Sequence, residues 1–153
     1  MSLLFRIILP VAVAIFAVDR LSKVWVVEWL ELPRINHLEV FPPFLNFHMA
    51  WNTGINFGIG SGGEDWMRWA LIGLSVAISA ALLWWILRRN ERHLAYGAGA
   101  VIGGAIGNAW DRFEYGAVAD FLNMSCCGIN NPFSFNIADI AIFVGAIWIA
   151  FKA

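Results

Sequence analysis

The chain is poor in charge: Asp, Glu, Lys and Arg supply 14% of its 153 residues, against 60% hydrophobic ones. With a mean hydropathy of +0.68, that excludes an ordinary soluble domain and makes lipid the expected solvent. The length allows one integral membrane domain, residues 1–153. There is no excess of either sign either. A net charge of −1 leaves no basic footprint, so nucleic acid is not an expected partner. Cysteine is nearly absent; Cys126 and Cys127 are adjacent, which makes no disulfide framework and matches no zinc motif. A vicinal disulfide and two free thiols both stay open, and neither is assigned a role. No His-Glu-x-x-His occurs, and His37 and His48 stand far from His93, which disfavours a metallopeptidase. No Gly-x-Ser-x-Gly supports a serine mechanism. No metal and no cofactor is expected, and there is no repeat, low-complexity segment or linker.

What the sequence has is apolar runs. The first could pass for a secretory signal with Arg6 as its positive region, but no small-x-small cleavage site precedes Asp19-Arg20 and the pattern continues to Trp29. We read spans at about 5–29, 66–87, 94–110 and 136–151. About 20 residues cross ~30 Å of hydrocarbon, so the first two are long enough and the other two are slightly short. Arg6, Arg88, Arg89, Arg92 and Lys152 fall on one side, against Arg34, Arg68 and Arg112 on the other. Both termini are therefore expected in the cytoplasm. Trp25, Trp29, Trp66, Trp69 and Trp110 then form an outer belt, and Trp84, Trp85 and Trp148 an inner one. The expected fold is membrane all-α with a small β element: a four-transmembrane-helix bundle, multi-pass.

Within the third span, Gly99, Gly103 and Gly107 recur every four residues, a stripe that lets a neighbouring backbone approach closely. In the outer loop before the second span, Leu45, Phe47, Met49 and Trp51 alternate with Asn46, His48, Ala50 and Asn52, a strand pattern. Pro42-Pro43 precedes it and a glycine-rich turn through Gly58, Gly60 and Gly62 follows. Residues 118–122 could supply a partner strand.

Polar residues at the edge of such spans need a reason, because a charge at mid-helix costs on the order of 3 kcal/mol on insertion scales. Asp19 and Lys23, four apart with the acid first, suit an intrahelical ion pair. Arg20 can snorkel outward. Asn108, Asp111 and Arg112 lie within about one turn and offer a polar cluster where a loop could dock. Asp120, in an otherwise apolar stretch, could be merely solvated. Asp139 could serve only the fourth helix, with Asn136 as its cap. Topology, however, places Asp19, Asp111, Asp120 and Asp139 at one outer interface, with Asn52, Asn108 and Asn136 able to face them. Carboxylates do not gather beside lipid for stability.

At these residues the sequence resembles the lipoprotein signal peptidase (signal peptidase II) family over essentially its whole length. The blocks read Asp19-Arg-Leu-Ser-Lys23, Asn52-Thr-Gly54-Ile-Asn-Phe57-Gly58, Gly103-Gly-Ala-Ile-Gly107-Asn108-Ala-Trp-Asp111-Arg112, Val118-Ala-Asp120-Phe121 and Phe135-Asn136-Ile-Ala138-Asp139. The resemblance implies a four-helix bundle with a small outer, periplasmic-side sheet and a helical lid. It implies an aspartic endopeptidase of the bacterial inner membrane whose site, near the outer face, has Asp120 and Asp139 as catalytic pair. The substrate it implies is a diacylglyceryl-modified prolipoprotein, arriving from membrane lipid and cut just before the lipidated cysteine. Asn52, Gly54, Asn108, Arg112 and Asn136 would position substrate and aspartates, with Asp19, Lys23 and Asp111 in support. A monomer is expected. Asn56 departs from the family, which carries a small residue there, and the Cys126-Cys127 pair has no counterpart in its pattern. Which aspartate starts protonated stays open. The rival from another class is a four-helix proton or ligand relay, disfavoured because the acids collect at one end; a catalytically dead relative would lack one of the two aspartates.

Overall fold

The computed structural model describes residues 3–54 and 63–153. The four apolar runs form helices. The first, continuous over residues 4–29, consists of α1 (Leu9–Val24) flanked by π-helical turns Leu4–Ile8 and Trp25–Trp29. A four-residue α2 (Leu32–Ile35) follows, then α3 (Gly63–Arg89), α4 (Arg92–Tyr115) and α5 (Ile137–Lys152). Among the described residues, one stretch, Asp65–Arg89 of α3, is long and apolar enough to cross a membrane by length and composition alone, with a mean hydropathy of 2.2 over an 18-residue window. In α1 and α4 charged residues interrupt the apolar run, and α5 has 16 residues.

The helix expected to stop at about 110 runs five residues further, to Tyr115, where Gly116 at φ 82° closes it. Asp111 and Arg112 are therefore helical, not part of the following loop. Asp111 lies past the expected end of the span because the partners that hold it, Lys23 and Arg20, are on another helix. Central among the helices is α4, which packs on α1, α3 and α5. Its glycines serve two neighbours. Gly99 and Gly103 face α1, where an added Cβ would sit 2.7 Å from Val11 Cβ and 2.6 Å from the Ala12 carbonyl oxygen. Gly97 and Gly104 face α5, at 2.9 Å from the Gly145 oxygen and 2.5 Å from the Ala138 oxygen. The second set lies outside the four-residue stripe visible in the sequence.

The sheet is three-stranded and antiparallel, in the order β1 (His37–Phe41), β2 (Leu45–Asn52), β3 (Val118–Asn123). The expected β2–β3 pair forms, with Ala50 opposite Asp120 and Asn52 opposite Val118. Phe47, Met49, Ala119 and Phe121 turn inward onto Val26 and Leu32, which leaves Asp120 on the opposite face. β1 had no sequence signal, since four of its five residues are exposed. Pro42-Pro43 forms the turn between β1 and β2. The sulfurs of Cys126 and Cys127 are bonded to each other, so neither is a free thiol. Asn56 and the glycine-rich turn lie outside the described residues.

Large apolar side chains cover much of the outside, and a polar cluster is buried beside an apolar core. Phe5, Trp29, Trp84, Phe143 and Phe151 are 58–84% exposed, while Asp19, Lys23, Asp111 and Asn136 have no exposed surface. At the end carrying the basic cluster, Arg88 lies over Trp84, Arg89 over Trp85 and Lys152 over Trp148. The Trp148 indole N–H donates to the His93 carbonyl, tying the start of α4 to the end of α5. The Gly104 contact yields a prediction. Gly104→Val should lower stability by about 1–3 kcal/mol through overpacking, read as a lower unfolding temperature in detergent; unchanged unfolding would contradict the close α4–α5 approach.

Candidate active site

Five elements, the first helix, β2, α4, β3 and α5, bring their polar residues to one place. The first helix supplies Asp19 and Lys23, separated by one turn. Lys23 Nζ lies 2.8 Å from Asp19 Oδ2 and 2.7 Å from Asp111 Oδ2 on α4. All three side chains are buried, so the expected intrahelical pair is in fact a cation between two acids. Gly107 makes room for it, because a Cβ there would sit 2.7 Å from Asp19 Oδ2. Each acid also holds backbone. Asp19 Oδ1 accepts from the Ala138 N–H at 2.9 Å, and Asp111 Oδ2 from the Ala119 N–H at 3.1 Å. These two amides belong to the residues just before Asp139 and Asp120.

Asp120 stands on β3 and Asp139 in the first turn of α5. Asn136 joins them. Its side-chain N–H donates to Asp120 Oδ1 at 2.6 Å and to Asn108 Oδ1 at 3.1 Å, while its backbone N–H donates to Asp139 Oδ2 at 3.3 Å. Its oxygen accepts from the Asp139 N–H at 2.8 Å, closing a reciprocal capping box. Asn108 donates to Asp139 Oδ1 at 2.8 Å, and Asn52 to Asp120 Oδ2 at 3.1 Å. Every oxygen of the two acids thus accepts a hydrogen bond. Asn52 is in turn held by a bond from the Gly54 N–H at 3.0 Å. Gly54 has φ 93°, and a Cβ there would lie 2.6 Å from Leu71, so the turn requires glycine.

Burial raises the Asp120 pKa most, the neighbouring Asp139 charge raises it further, and the bonds from Asn52 and Asn136 oppose both, for a net value of about 6. Arg112 donates to the Asn108 carbonyl at 3.3 Å and lies within reach of the charges on Asp120, Asp111 and Asp139. Its Nε is buried without a partner among the described residues. No cluster of three or more metal-ligating His, Cys, Asp or Glu side chains occurs among them.

Sequence reasoning missed the outer edge of this network. Arg20 does not simply snorkel: it reaches Asp111 Oδ1 at 3.2 Å, Glu114 Oε2 at 2.6 Å and the Tyr115 hydroxyl at 2.7 Å. Its partners lie more than ninety residues away, and no local signal could have shown them. The buried cation yields a prediction. Lys23→Met leaves two buried carboxylates without it and should cost about 3–5 kcal/mol, read by unfolding in detergent. Arg34→Met, which breaks an exposed pair with Glu31, should leave unfolding unchanged. Equal effects of the two would contradict this assignment.

The family described as Signal peptidase (SPase) II matches residues 11–153. A lipoprotein signal peptidase of Rhodopseudomonas palustris is 41% identical over 130 residues, covering 83% of this chain and 79% of the relative. One from Methylorubrum extorquens is 36% identical over 143 residues, covering 94% and 82%. Two solved bacterial membrane enzymes, determined by the in meso method at 2.3 and 1.9 Å resolution, share the fold. Their TM-scores are 0.76 and 0.79 at 27% and 26% identity, over 94% of this chain and 85% and 90% of theirs. From the match along nearly the whole sequence, together with these relatives, it follows that the chain belongs to the lipoprotein signal peptidase (signal peptidase II) family.

Proposed function

We propose that this membrane peptidase removes signal peptides from diacylglyceryl-modified bacterial prolipoproteins, cutting just before the lipidated cysteine, with Asp120 and Asp139 as an aspartic dyad. The observation that carries the reading is the Asn136 bridge, through which acids from separate elements share one largely buried environment. Two such carboxyls do not both ionise readily. With its pKa raised to about 6, Asp120 holds the shared proton and Asp139 acts as base.

In the first step Asp139 takes a proton from water while the water oxygen attacks the carbonyl carbon before the cysteine. Asp120 gives its proton to the carbonyl oxygen, forming a neutral tetrahedral intermediate. In the second, Asp139 passes its proton to the cysteine nitrogen as the C–N bond breaks, and Asp120 recovers a proton from the intermediate's hydroxyl. The dyad returns to its starting state. Asn52, Asn108 and Asn136 hold the carboxyls, Gly54 aims Asn52, and the Arg112 guanidinium is suited to a substrate carbonyl. Asp19, Lys23 and Asp111 support the backbone on both sides.

In this reading the chain is a single integral domain, active as a monomer without metal or cofactor, and all four long helices cross the bacterial inner membrane. The exposed apolar side chains and the buried, paired polar cluster support it, because lipid favours apolar surface and penalises unpaired charge. Arg6, Arg88, Arg89, Arg92 and Lys152 share the helix ends away from the acids, which supports cytoplasmic termini and a site near the outer face.

Purified protein should release the signal peptide from a diacylglyceryl-modified precursor and leave the unlipidated precursor uncut. Asp120→Asn and Asp139→Asn should each lower turnover by at least about a thousandfold, with unfolding temperatures near wild type. Retained turnover in either variant would refute the dyad, and equal processing of both precursors would refute the lipid requirement.

A further inference from the structure

The face of the sheet turned away from Val26 and Leu32 carries a cavity of about 400 Å³. Phe47 and Met49 point inward, so Asn46 and His48, which alternate with them along β2, point outward. In the β1–β2 ladder His37 stands opposite His48 and Glu39 opposite Asn46, and directly opposed residues share a face. All four side chains line the cavity, together with Asn123 and Ser125. Among the described residues no Lys or Arg lines it, and Glu39 is its one carboxylate.

The two imidazoles are placed to share a metal ion. Their ring centroids are 6.0 Å apart, with the planes at 59° to each other. A zinc–nitrogen bond is about 2.0–2.1 Å and the nitrogen lies about 1.1 Å from its ring centre; two rings on one ion therefore have centroids about 5.1 Å apart at a tetrahedral angle and about 6.3 Å apart when directly opposed. The observed separation lies inside that range. Among the described residues neither ring has a hydrogen-bond partner, since Ser134 Oγ donates to the His48 carbonyl oxygen instead.

A second feature points to the same occupant. Asn46 Oδ1 is buried and accepts no hydrogen bond among the described residues, and such an acceptor costs free energy until a donor reaches it. Water bound to a divalent cation is a strong donor. No three His, Cys, Asp or Glu side chains of the described residues come close enough to enclose an ion, so water completes the shell around two imidazoles. We propose that the cavity is a metal site in which His37 and His48 ligate a divalent transition cation of the zinc, copper and nickel class, while Glu39 and Asn46 bond its waters. Imidazole selects these ions over magnesium and calcium, which take oxygen ligands. The cation pins β1 to β2, and β2 ends at Asn52, which holds Asp120. His48 is four residues from Asn52, about 13 Å along a strand, so the ion steadies the sheet without entering the reaction.

The test uses the full chain in detergent, with any polyhistidine tag removed, titrated calorimetrically at neutral pH with Zn²⁺ alone. Two imidazoles are half of a four-ligand set, so one equivalent should bind with Kd on the order of 10 µM. A roughly hundredfold excess of Mg²⁺ should not displace it. His37→Ala, His48→Ala and the bulk-preserving His48→Gln should each weaken binding at least about tenfold, and Glu39→Gln about threefold. His93→Ala, at the other end of α4 beside Glu91, should leave binding unchanged. With Cu²⁺, electron paramagnetic resonance should show two imidazole nitrogens on the ion in the wild type and fewer in each His37 or His48 variant. Binding weaker than about 1 mM, binding that survives loss of His37 or His48, or an equal loss in His93→Ala would overturn the site. None of these readouts uses peptide cleavage, so they stand apart from the peptidase reading.

Discussion

A single ammonium group, Lys23 Nζ, sits between two buried carboxylates, and the arrangement of the active site depends on it. Charge taken out of water is costly unless it is closely paired and its remaining oxygens are bonded. Asp19 and Asp111 meet both conditions by pairing with Lys23 and then accepting backbone N–H groups from Ala138 and Ala119. Those amides immediately precede Asp139 and Asp120. One cation thus governs where two acids from unrelated parts of the chain stand, and the same free energy that stabilises the helix contacts fixes the spacing of Asp120 and Asp139. Arg20 closes the network toward the rim through Asp111, Glu114 and Tyr115.

Small residues allow this to happen. Gly107 leaves the volume that the Asp19 carboxylate fills, and Gly103 and Gly104 bring the backbones of α1 and α5 against α4. Where no hydrophobic effect drives helices together, such contacts and the polar network between them are what hold the helices in place. Packing and chemistry therefore use adjacent positions of one helix. The stripe of glycines read in the sequence as a packing feature ends, at Gly107, as part of the site.

The features legible in the sequence were those with a local cause. Apolar runs gave the helices, alternation over Leu45–Asn52 gave a strand, and Asn136 with Asp139 three residues on gave a cap that the structure contains. Features with a tertiary cause were not legible. β1 escaped because its side chains face outward and carry no apolar periodicity. The last turn of α4 escaped because Asp111 and Glu114 look like loop residues until Lys23 and Arg20 supply partners from another helix. The second glycine set, facing α5, escaped because Gly97 and Gly104 share no four-residue repeat. For the same reason the sequence could propose the candidate acids as a group but could not say that Asn136 joins two of them.

In the proposed mechanism Asp120 and Asp139 work as a pair holding one proton. The pH dependence of kcat/KM tests it most directly, since that ratio reports ionisations of the free enzyme. A bell-shaped profile is expected. Asp120 is raised to about 6, so the singly protonated pair is present below that value and kcat/KM falls as pH rises through it; addition of the second proton lowers kcat/KM again at more acid pH. The alkaline limb of kcat should lie higher, because bound lipid excludes water and disfavours a second charge. A profile with no alkaline limb, or one that rises through pH 6 and stays level, would contradict the shared proton.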